Sequence, residues 1–153
     1  VKDLRGESKD AYPVRMFLKK GFGHGGLPDR DHLSTMLPAV RNTIPESLVW
    51  ESTDSVVRRF SWLENPEPSK KQLVEATRKG NRFEIKLTGI ESLNLYLDER
   101  MIDYRKPVVI EVNGKVALER SLSPTLPVLC RTLLERGDPR FAFASKVSVT
   151  NEP

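Results

Sequence analysis

The sequence lacks the features that define several large classes of protein. Its 153 residues include a single cysteine, which excludes an internal disulfide and a cysteine-based metal cluster. No apolar run approaches the roughly 20 residues that span a bilayer, and the charged N-terminus has no signal-peptide hydrophobic region. The chain does not begin with methionine, so we expect a piece of a longer protein. These absences indicate a globular domain with no membrane partner and leave its compartment open.

Positive charge is in small excess but is not concentrated in one place. Lys and Arg number 25 against 21 Asp and Glu, for a net charge of +4. Acidic residues are interspersed with the basic ones, and no helix-turn-helix, zinc-finger or RNA-binding signature accompanies them. We therefore expect a solvated, charged surface and no nucleic-acid partner.

From residue 46 onward the sequence has the pattern of an antiparallel β domain. Short strand-like runs recur at spacings of about ten residues, which is typical of a sandwich or barrel. Residues 82–88 alternate apolar with polar side chains, and residues 93–98 repeat this alternation, with Asn94, Tyr96 and Asp98 on the wet face. Residues 80–81 and 113–114 are hairpin turn signals, and the second hairpin is predicted to be interior.

One helix is predicted near the C-terminus. Ser123 is the expected N-cap, with proline at the next position, and Gly137 is the expected C-terminal cap. Apolar residues at helical spacing predict its buried face, namely Leu126, Leu129, Cys130, Leu133 and Leu134. On this interpretation Cys130 is a buried and inert thiol. The fold class is therefore mainly β (α+β), an antiparallel sandwich-like domain with one well-capped helix.

Residues 12–45 have a different character. A strand-like run over 14–19 leads into a glycine-rich loop that carries His24. Apolar residues at helical spacing then predict a helix over 31–44, which Pro38 should kink or split and Pro45 should end. Glycines around His24 would let the backbone turn sharply, and an imidazole with a pKa near 6.5 can exchange protons at neutral pH. The alternative is a surface histidine in a flexible loop.

This segment resembles the end of an α/β-hydrolase of the esterase and prolyl-oligopeptidase-like kind. The resemblance rests on the run 14–19, the Gly23, His24, Gly25 loop and the closing helix that ends at residues 41–45. The rest of the chain resembles the β-rich C-terminal extension of some bacterial hydrolases of this group, through residues 61–64, 80–81, 106–108, 112–114 and 136–138. The resemblance implies that His24 is the triad histidine.

The triad of this fold runs Ser, then Asp or Glu, then His along the chain. The resemblance therefore places the nucleophile and the acid before Val1, in a hydrolase region that is missing here. No Gly-x-Ser-x-Gly elbow occurs in the 153 residues. We expect residues 1–45 to be the terminal strand, histidine loop and closing helix of an incomplete hydrolase domain, followed by a β-rich domain over 46–153.

The expected function is that of a C-terminal fragment of a serine hydrolase that acts on an ester or a peptide. Such a fragment carries His24 but neither nucleophile nor acid, so it should be inactive alone. The alternative is a non-catalytic sandwich module that mediates protein or ligand contacts. Because the apolar residues of segment 12–45 would lose the sheet they normally cover, we also expect a homodimer through this segment.

Two further sets of residues are candidate sites. Two histidines and two aspartates lie close together in the sequence, but a spacing of eight between the histidines matches no recurring zinc motif, so we expect no metal and no cofactor. The set consists of His24, Asp29, Asp31 and His32. Four aromatic residues could form a ligand-stacking surface, although packing is the plainer interpretation and Tyr96 is the best ligand candidate among them. These are Trp50, Phe60, Trp62 and Tyr96.

Overall fold

A computed structural model of the chain describes residues 20–21, 29–38 and 40–151. The chain divides into two compact units, Val1–Asn42 and Thr43–Pro153. The predicted strand over 14–19 and the loop with His24 lie outside the described residues. The two units are therefore described separately, beginning with the first.

The described part of the first unit is a short helical segment. A 3-10 helix over Asp29–His32 runs directly into helix α1, Leu33–Met36. The predicted helix over 31–44 is thus far too long. Leu37 still has helical backbone and its N–H donates to the Leu33 carbonyl, but Pro38 has no N–H to continue the ladder, so the helix ends there.

The second unit consists of two β-sheets and one long helix, which confirms the mainly β prediction. The large sheet has five strands in the order β1-β4-β5-β7-β8, and the small sheet has four in the order β2-β3-β6-β9. The strands are β1 Ser47–Ser52, β2 Arg59–Phe60, β3 Leu63–Glu64, β4 Gln72–Lys79, β5 Arg82–Thr88, β6 Ser92–Leu97, β7 Val108–Val112, β8 Lys115–Arg120 and β9 Ser145–Thr150. Helix α2 is Leu126–Arg136, and a 3-10 helix follows over Pro139–Phe141.

The two sheets share one hydrophobic core, as a sandwich requires. Strand β5 buries Phe83, Ile85 and Leu87 on one face and exposes the residues between them, as the sequence predicts. The Trp62 and Phe83 rings meet edge to face, with centroids 5.7 Å apart. Leucines and valines of β6 and β9 join the same core from the small sheet. The alternating apolar residues therefore hold the sheets face to face.

The large sheet is mixed, and not purely antiparallel as the sequence predicts. Strand β5 pairs with β7 in parallel, with Arg82 opposite Val109 and Ile85 opposite Val112. Between these two strands the chain crosses to the small sheet and forms β6 there. The chain then enters β7 in the same direction as β5.

The β7–β8 hairpin forms at the predicted turn but with a different register and environment. Asn113 and Gly114 both have positive φ, 50° and 81°, as a type I′ turn requires. A two-residue turn at Asn113 and Gly114 predicts Val112 opposite Lys115, Glu111 opposite Val116 and Ile110 opposite Ala117. The first two pairs form, but a bulge then places Ile110 opposite Leu118. Strand β8 lies at the edge of the large sheet and is mostly exposed. The prediction of an interior hairpin therefore holds for β7, which buries Val108, Ile110 and Val112, and is wrong for β8.

Candidate functional site

The outer face of the small sheet carries a buried polar cluster centred on Glu64. Strand β3 places Glu64 opposite Asn94 of β6, and Tyr96 follows on the same face. Tyr96 is only 2% exposed, so the predicted wet face of β6 is wrong. Side chains from β2 and β9 lie over it, with the Arg59 guanidinium carbon 5.9 Å and the Lys146 Nζ 5.5 Å from the Tyr96 ring centre.

Glu64 is surrounded by hydrogen-bond donors. Its Oε1 accepts from Nε and Nη2 of Arg59, at 3.0 and 2.9 Å. Its Oε2 accepts from the Tyr96 hydroxyl at 2.8 Å and from Nδ2 of Asn94 at 3.0 Å. The Lys146 Nζ lies 3.2 Å from the same oxygen. Two cations and two neutral donors thus compensate the loss of water around this carboxylate.

The cluster extends to strand β9 and helix α2. Ser148 donates from Oγ to Oδ1 of Asn94 at 2.6 Å, which fixes the amide orientation. The third guanidinium nitrogen of Arg59, Nη1, pairs with Glu135 of α2 and lies 2.7 Å from its Oε2. Because Arg59 pairs with Glu64 and Glu135 together, it ties the helix to the sheet.

The two titratable groups at the centre have pKa values far from neutrality. Burial alone would raise the pKa of Glu64, but hydrogen bonds from Tyr96 and Arg59 and the charge of Lys146 outweigh it and lower the pKa to about 2. Burial and the hydrogen bond to Glu64 raise the pKa of Tyr96 to about 12. General acid–base catalysis needs a pKa near the working pH. The cluster therefore holds a fixed charge and cannot shuttle protons at neutral pH.

The residues considered as metal ligands do not form a site in the part of the chain that the structure describes. His24 lies outside that part. Asp29, Asp31 and His32 lie in the first 3-10 helix. Across residues 20–21, 29–38 and 40–151, no three His, Cys, Asp or Glu side chains come close enough to share a metal ion.

The aromatic residues lie mostly in the core, which confirms the packing interpretation. Trp50 and Trp62 are buried, and Trp50 contacts the Phe60 ring at 6.0 Å between centroids. Tyr96, the predicted ligand contact, is buried and donates its hydroxyl to Glu64. Phe60 alone of the four is exposed, and one ring does not make a stacking platform.

Helix α2 exposes the face that the sequence predicts to be buried. The helix packs inward through Val128 and Thr132. The Thr132 hydroxyl lies 2.9 Å from the Phe143 backbone nitrogen, which donates to it, and 3.1 Å from the Phe143 carbonyl oxygen. The exposed fractions of the outer leucines are 70% for Leu126, 37% for Leu129, 40% for Leu133 and 83% for Leu134. We call these four residues, with exposed Cys130 among them, the leucine face.

The sequence did not reveal the Glu64 cluster, because its members are far apart in the chain. The bond between Glu64 and Asn94 spans 30 residues, and that between Glu64 and Tyr96 spans 32. Polar residues alternating with leucines in β6 indicated an exposed face. From the sequence alone, a polar residue in a strand that faces water cannot be distinguished from one that faces a buried charge.

The chain was compared with protein-family models, with curated proteins and with solved structures. No family model, no curated protein and no solved structure matches it. Within the described residues, no helix has the length and apolar character needed to cross a membrane. The resemblance to α/β-hydrolases therefore stays a prediction that rests on the residues around His24.

Proposed function

We propose that the chain is the C-terminal part of a serine hydrolase that acts on an ester or a peptide. In this proposal His24 is the triad histidine, and Thr43–Pro153 is a non-catalytic accessory domain. Support for the histidine comes from its position in a glycine-rich loop directly after a strand-like apolar run. Such a loop lets an imidazole reach a serine on another loop while an acid holds its far side.

The accessory role of the sandwich is supported by the fixed charge of the Glu64 cluster. General acid–base catalysis needs a group that gains or loses a proton near neutral pH. Glu64 and Tyr96 have pKa values of about 2 and about 12, so both keep their protonation state across the physiological range. Their hydrogen bonds are also satisfied within the domain. This cluster therefore stabilises the sandwich and leaves the chemistry to another region.

The proposed role of His24 is to move one proton in each direction. As general base it accepts the proton of a serine hydroxyl while the serine oxygen attacks the substrate carbonyl. As general acid it then returns that proton to the leaving alcohol or amine. Serine and acid come from the region that the proposal places before Val1, so the 153 residues alone have no activated nucleophile.

Two measurements test the proposal. The 153-residue chain should neither hydrolyse chromogenic short-chain esters nor react with a fluorophosphonate probe. The protein encoded by the full open reading frame should do both.

In that protein His24→Ala should reduce kcat by at least about 10³-fold. The matched control, Tyr96→Phe, changes the sandwich only and should leave kcat unchanged. Serine labelling of the 153-residue chain, or full activity of His24→Ala, would overturn the proposal.

A further inference from the structure

The turn between β7 and β8 contains the single asparagine of the chain that is followed by glycine. Asn113 precedes Gly114, whereas the other asparagines precede threonine, proline, arginine, leucine or glutamate. Glycine has no side chain, so its backbone nitrogen can approach the side chain of the preceding residue closely. In an unfolded chain, the carboxamide of Asn113 is therefore more open to attack by a neighbouring backbone nitrogen than that of any other asparagine.

The folded structure fixes this carboxamide through hydrogen bonds. Its Oδ1 accepts from the Leu87 N–H at 2.9 Å, and its Nδ2 donates to the Leu87 carbonyl at 3.3 Å. The same Nδ2 donates to Oδ1 of Asn151 at 2.7 Å. In addition, the Asn113 backbone N–H donates to the Ile85 carbonyl at 2.8 Å. The carboxamide thus continues the parallel pairing of β5 and β7 by one more pair of bonds and links the turn to the residue after β9.

These bonds, and not burial, determine whether the carboxamide can react. Asn113 and Gly114 are both exposed, so water reaches the turn. For the Gly114 nitrogen to reach Cγ of Asn113, the carboxamide must rotate away from Leu87. That rotation breaks the bonds of Oδ1 and Nδ2 to Leu87 and Asn151. Reaction therefore requires local opening of the turn, which has a free-energy cost in the folded state.

We propose that Asn113 is a deamidation site that the folded sandwich protects and that unfolding exposes. The site lies in the β7–β8 turn, and its chemistry does not involve His24. Its substrates are the Asn113 carboxamide, the Gly114 backbone nitrogen and water.

The reaction has two steps. The Gly114 nitrogen attacks Cγ of Asn113, a new N–Cγ bond closes a five-membered succinimide ring, and the bond between Cγ and Nδ2 breaks. The proton of the Gly114 N–H leaves with Nδ2, so ammonia is released. Water then opens the ring. Addition at Cγ gives aspartate, and addition at the main-chain carbonyl carbon gives isoaspartate.

The product cannot restore the hydrogen bonds of the amide. A carboxylate only accepts hydrogen bonds, so one oxygen can keep the Leu87 N–H while the other meets the Leu87 carbonyl and Oδ1 of Asn151. Acceptors that face each other without a proton destabilise the folded state. Isoaspartate also lengthens the main chain inside a two-residue turn. Deamidation therefore leaves a permanent mark on a molecule that has opened and makes it easier to open again.

Peptide mass spectrometry tests the site and its protection. The 153-residue chain is incubated in mildly alkaline buffer, with and without denaturing urea, and the conversion of each asparagine is followed with time. In urea, Asn113 should convert faster than every other asparagine. Without urea its conversion should be at least about tenfold slower, because only opened molecules react.

Two substitutions of Asn151 test the hydrogen bond to Nδ2. Asn151→Ala and Asn151→Asp both lose the bond from Nδ2 of Asn151 to the Ile90 carbonyl, but only Asn151→Asp keeps an acceptor for Asn113. In the folded chain, Asn113 should convert several-fold faster in Asn151→Ala than in Asn151→Asp. In urea the two variants should convert at the wild-type rate.

Asn113→Asp reproduces one product directly. Its urea midpoint should lie below that of the wild type. Glu119→Gln is the control, since it also changes the charge of this hairpin at an exposed residue and should keep the wild-type midpoint.

Each of these measurements has an outcome that contradicts the proposal. Faster conversion of another asparagine in urea would overturn the assignment of the site. Equal rates with and without urea would overturn the protection, and equal folded-state rates in the two Asn151 variants would overturn the role of that hydrogen bond. A wild-type midpoint for Asn113→Asp would overturn the loss of stability.

Discussion

At the scale of single residues, Glu64 illustrates how a carboxylate can be stable away from water. Its two oxygens face Arg59, Lys146, Tyr96 and Asn94, and all four are donors. Removing one of these partners leaves a buried charge or a buried polar group without compensation, which costs more than the contact itself contributes. Each member of the cluster therefore depends on the others.

The depressed pKa of Glu64 makes the stability of the sandwich depend on acid. Folding lowers this pKa from 4.5 to about 2, so in that interval the unfolded chain binds more protons than the folded one. The resulting stability is present above pH 4.5 and is lost as the pH falls toward 2. Denaturant melts across this range should show that the free energy of unfolding falls less steeply with decreasing pH for Glu64→Gln than for the wild type.

Glu75→Gln is the matched control for this measurement, because Glu75 lies exposed on β4 and has no contact with the cluster in the described structure. The control should keep the wild-type slope. Identical slopes for Glu64→Gln and the wild type would show that the folded state does not retain the charged form of Glu64 preferentially.

At the scale of elements, strand β5 has the clearest division between a buried and an exposed face. Phe83 is fully buried and contacts Trp62, whereas Glu84 points to solvent. Phe83→Ala should lower the free energy of unfolding by about 3–5 kcal/mol, because it removes a large side chain and leaves a cavity. Glu84→Ala should change it by less than about 0.5 kcal/mol. Urea melts of both variants provide the measurement, and equal losses would contradict the assignment of the faces.

The elements also show where sequence reasoning succeeds and where it stops. Strand β5 was predictable because one of its faces meets the core and the other meets water, so its residues alternate in polarity. Strand β6 was not, since its second face is buried against charged partners that only the tertiary structure brings together. The prediction that the leucine face is buried was wrong for a related reason. Hydrogen bonds between Thr132 and the Phe143 backbone determine which side of helix α2 faces the sandwich. The spacing of apolar residues in the sequence does not reveal these bonds.

The candidate sites also differ in how far the sequence alone predicts them. The loop around His24 is a local motif, so the sequence alone suffices to propose it. The Glu64 cluster needs β2, β3, β6 and β9 in register, and the leucine face needs the orientation of α2. Neither is encoded in neighbouring residues.

At the scale of the whole molecule, the division into Val1–Asn42 and Thr43–Pro153 suggests that the sandwich is a folding unit. Both sheets, helix α2 and the shared core lie in the second unit. About 110 residues are sufficient for an independent hydrophobic core. We therefore expect residues 43–153, expressed alone, to give a single sigmoidal thermal transition by circular dichroism. A gradual loss of signal would mean that the sandwich needs the preceding segment.

The order of the strands has a consequence for synthesis on the ribosome. The small sheet receives its last strand, β9, only at residues 145–150, whereas the neighbouring strand β6 ends at residue 97. At a translation rate of roughly 5–20 residues per second, β6 waits several seconds for that neighbour. During this interval its leucines and one unpaired backbone edge are available to other nascent chains. The polypeptide is therefore most vulnerable to aggregation in the interval between the synthesis of β6 and that of β9, which then closes this edge of the small sheet.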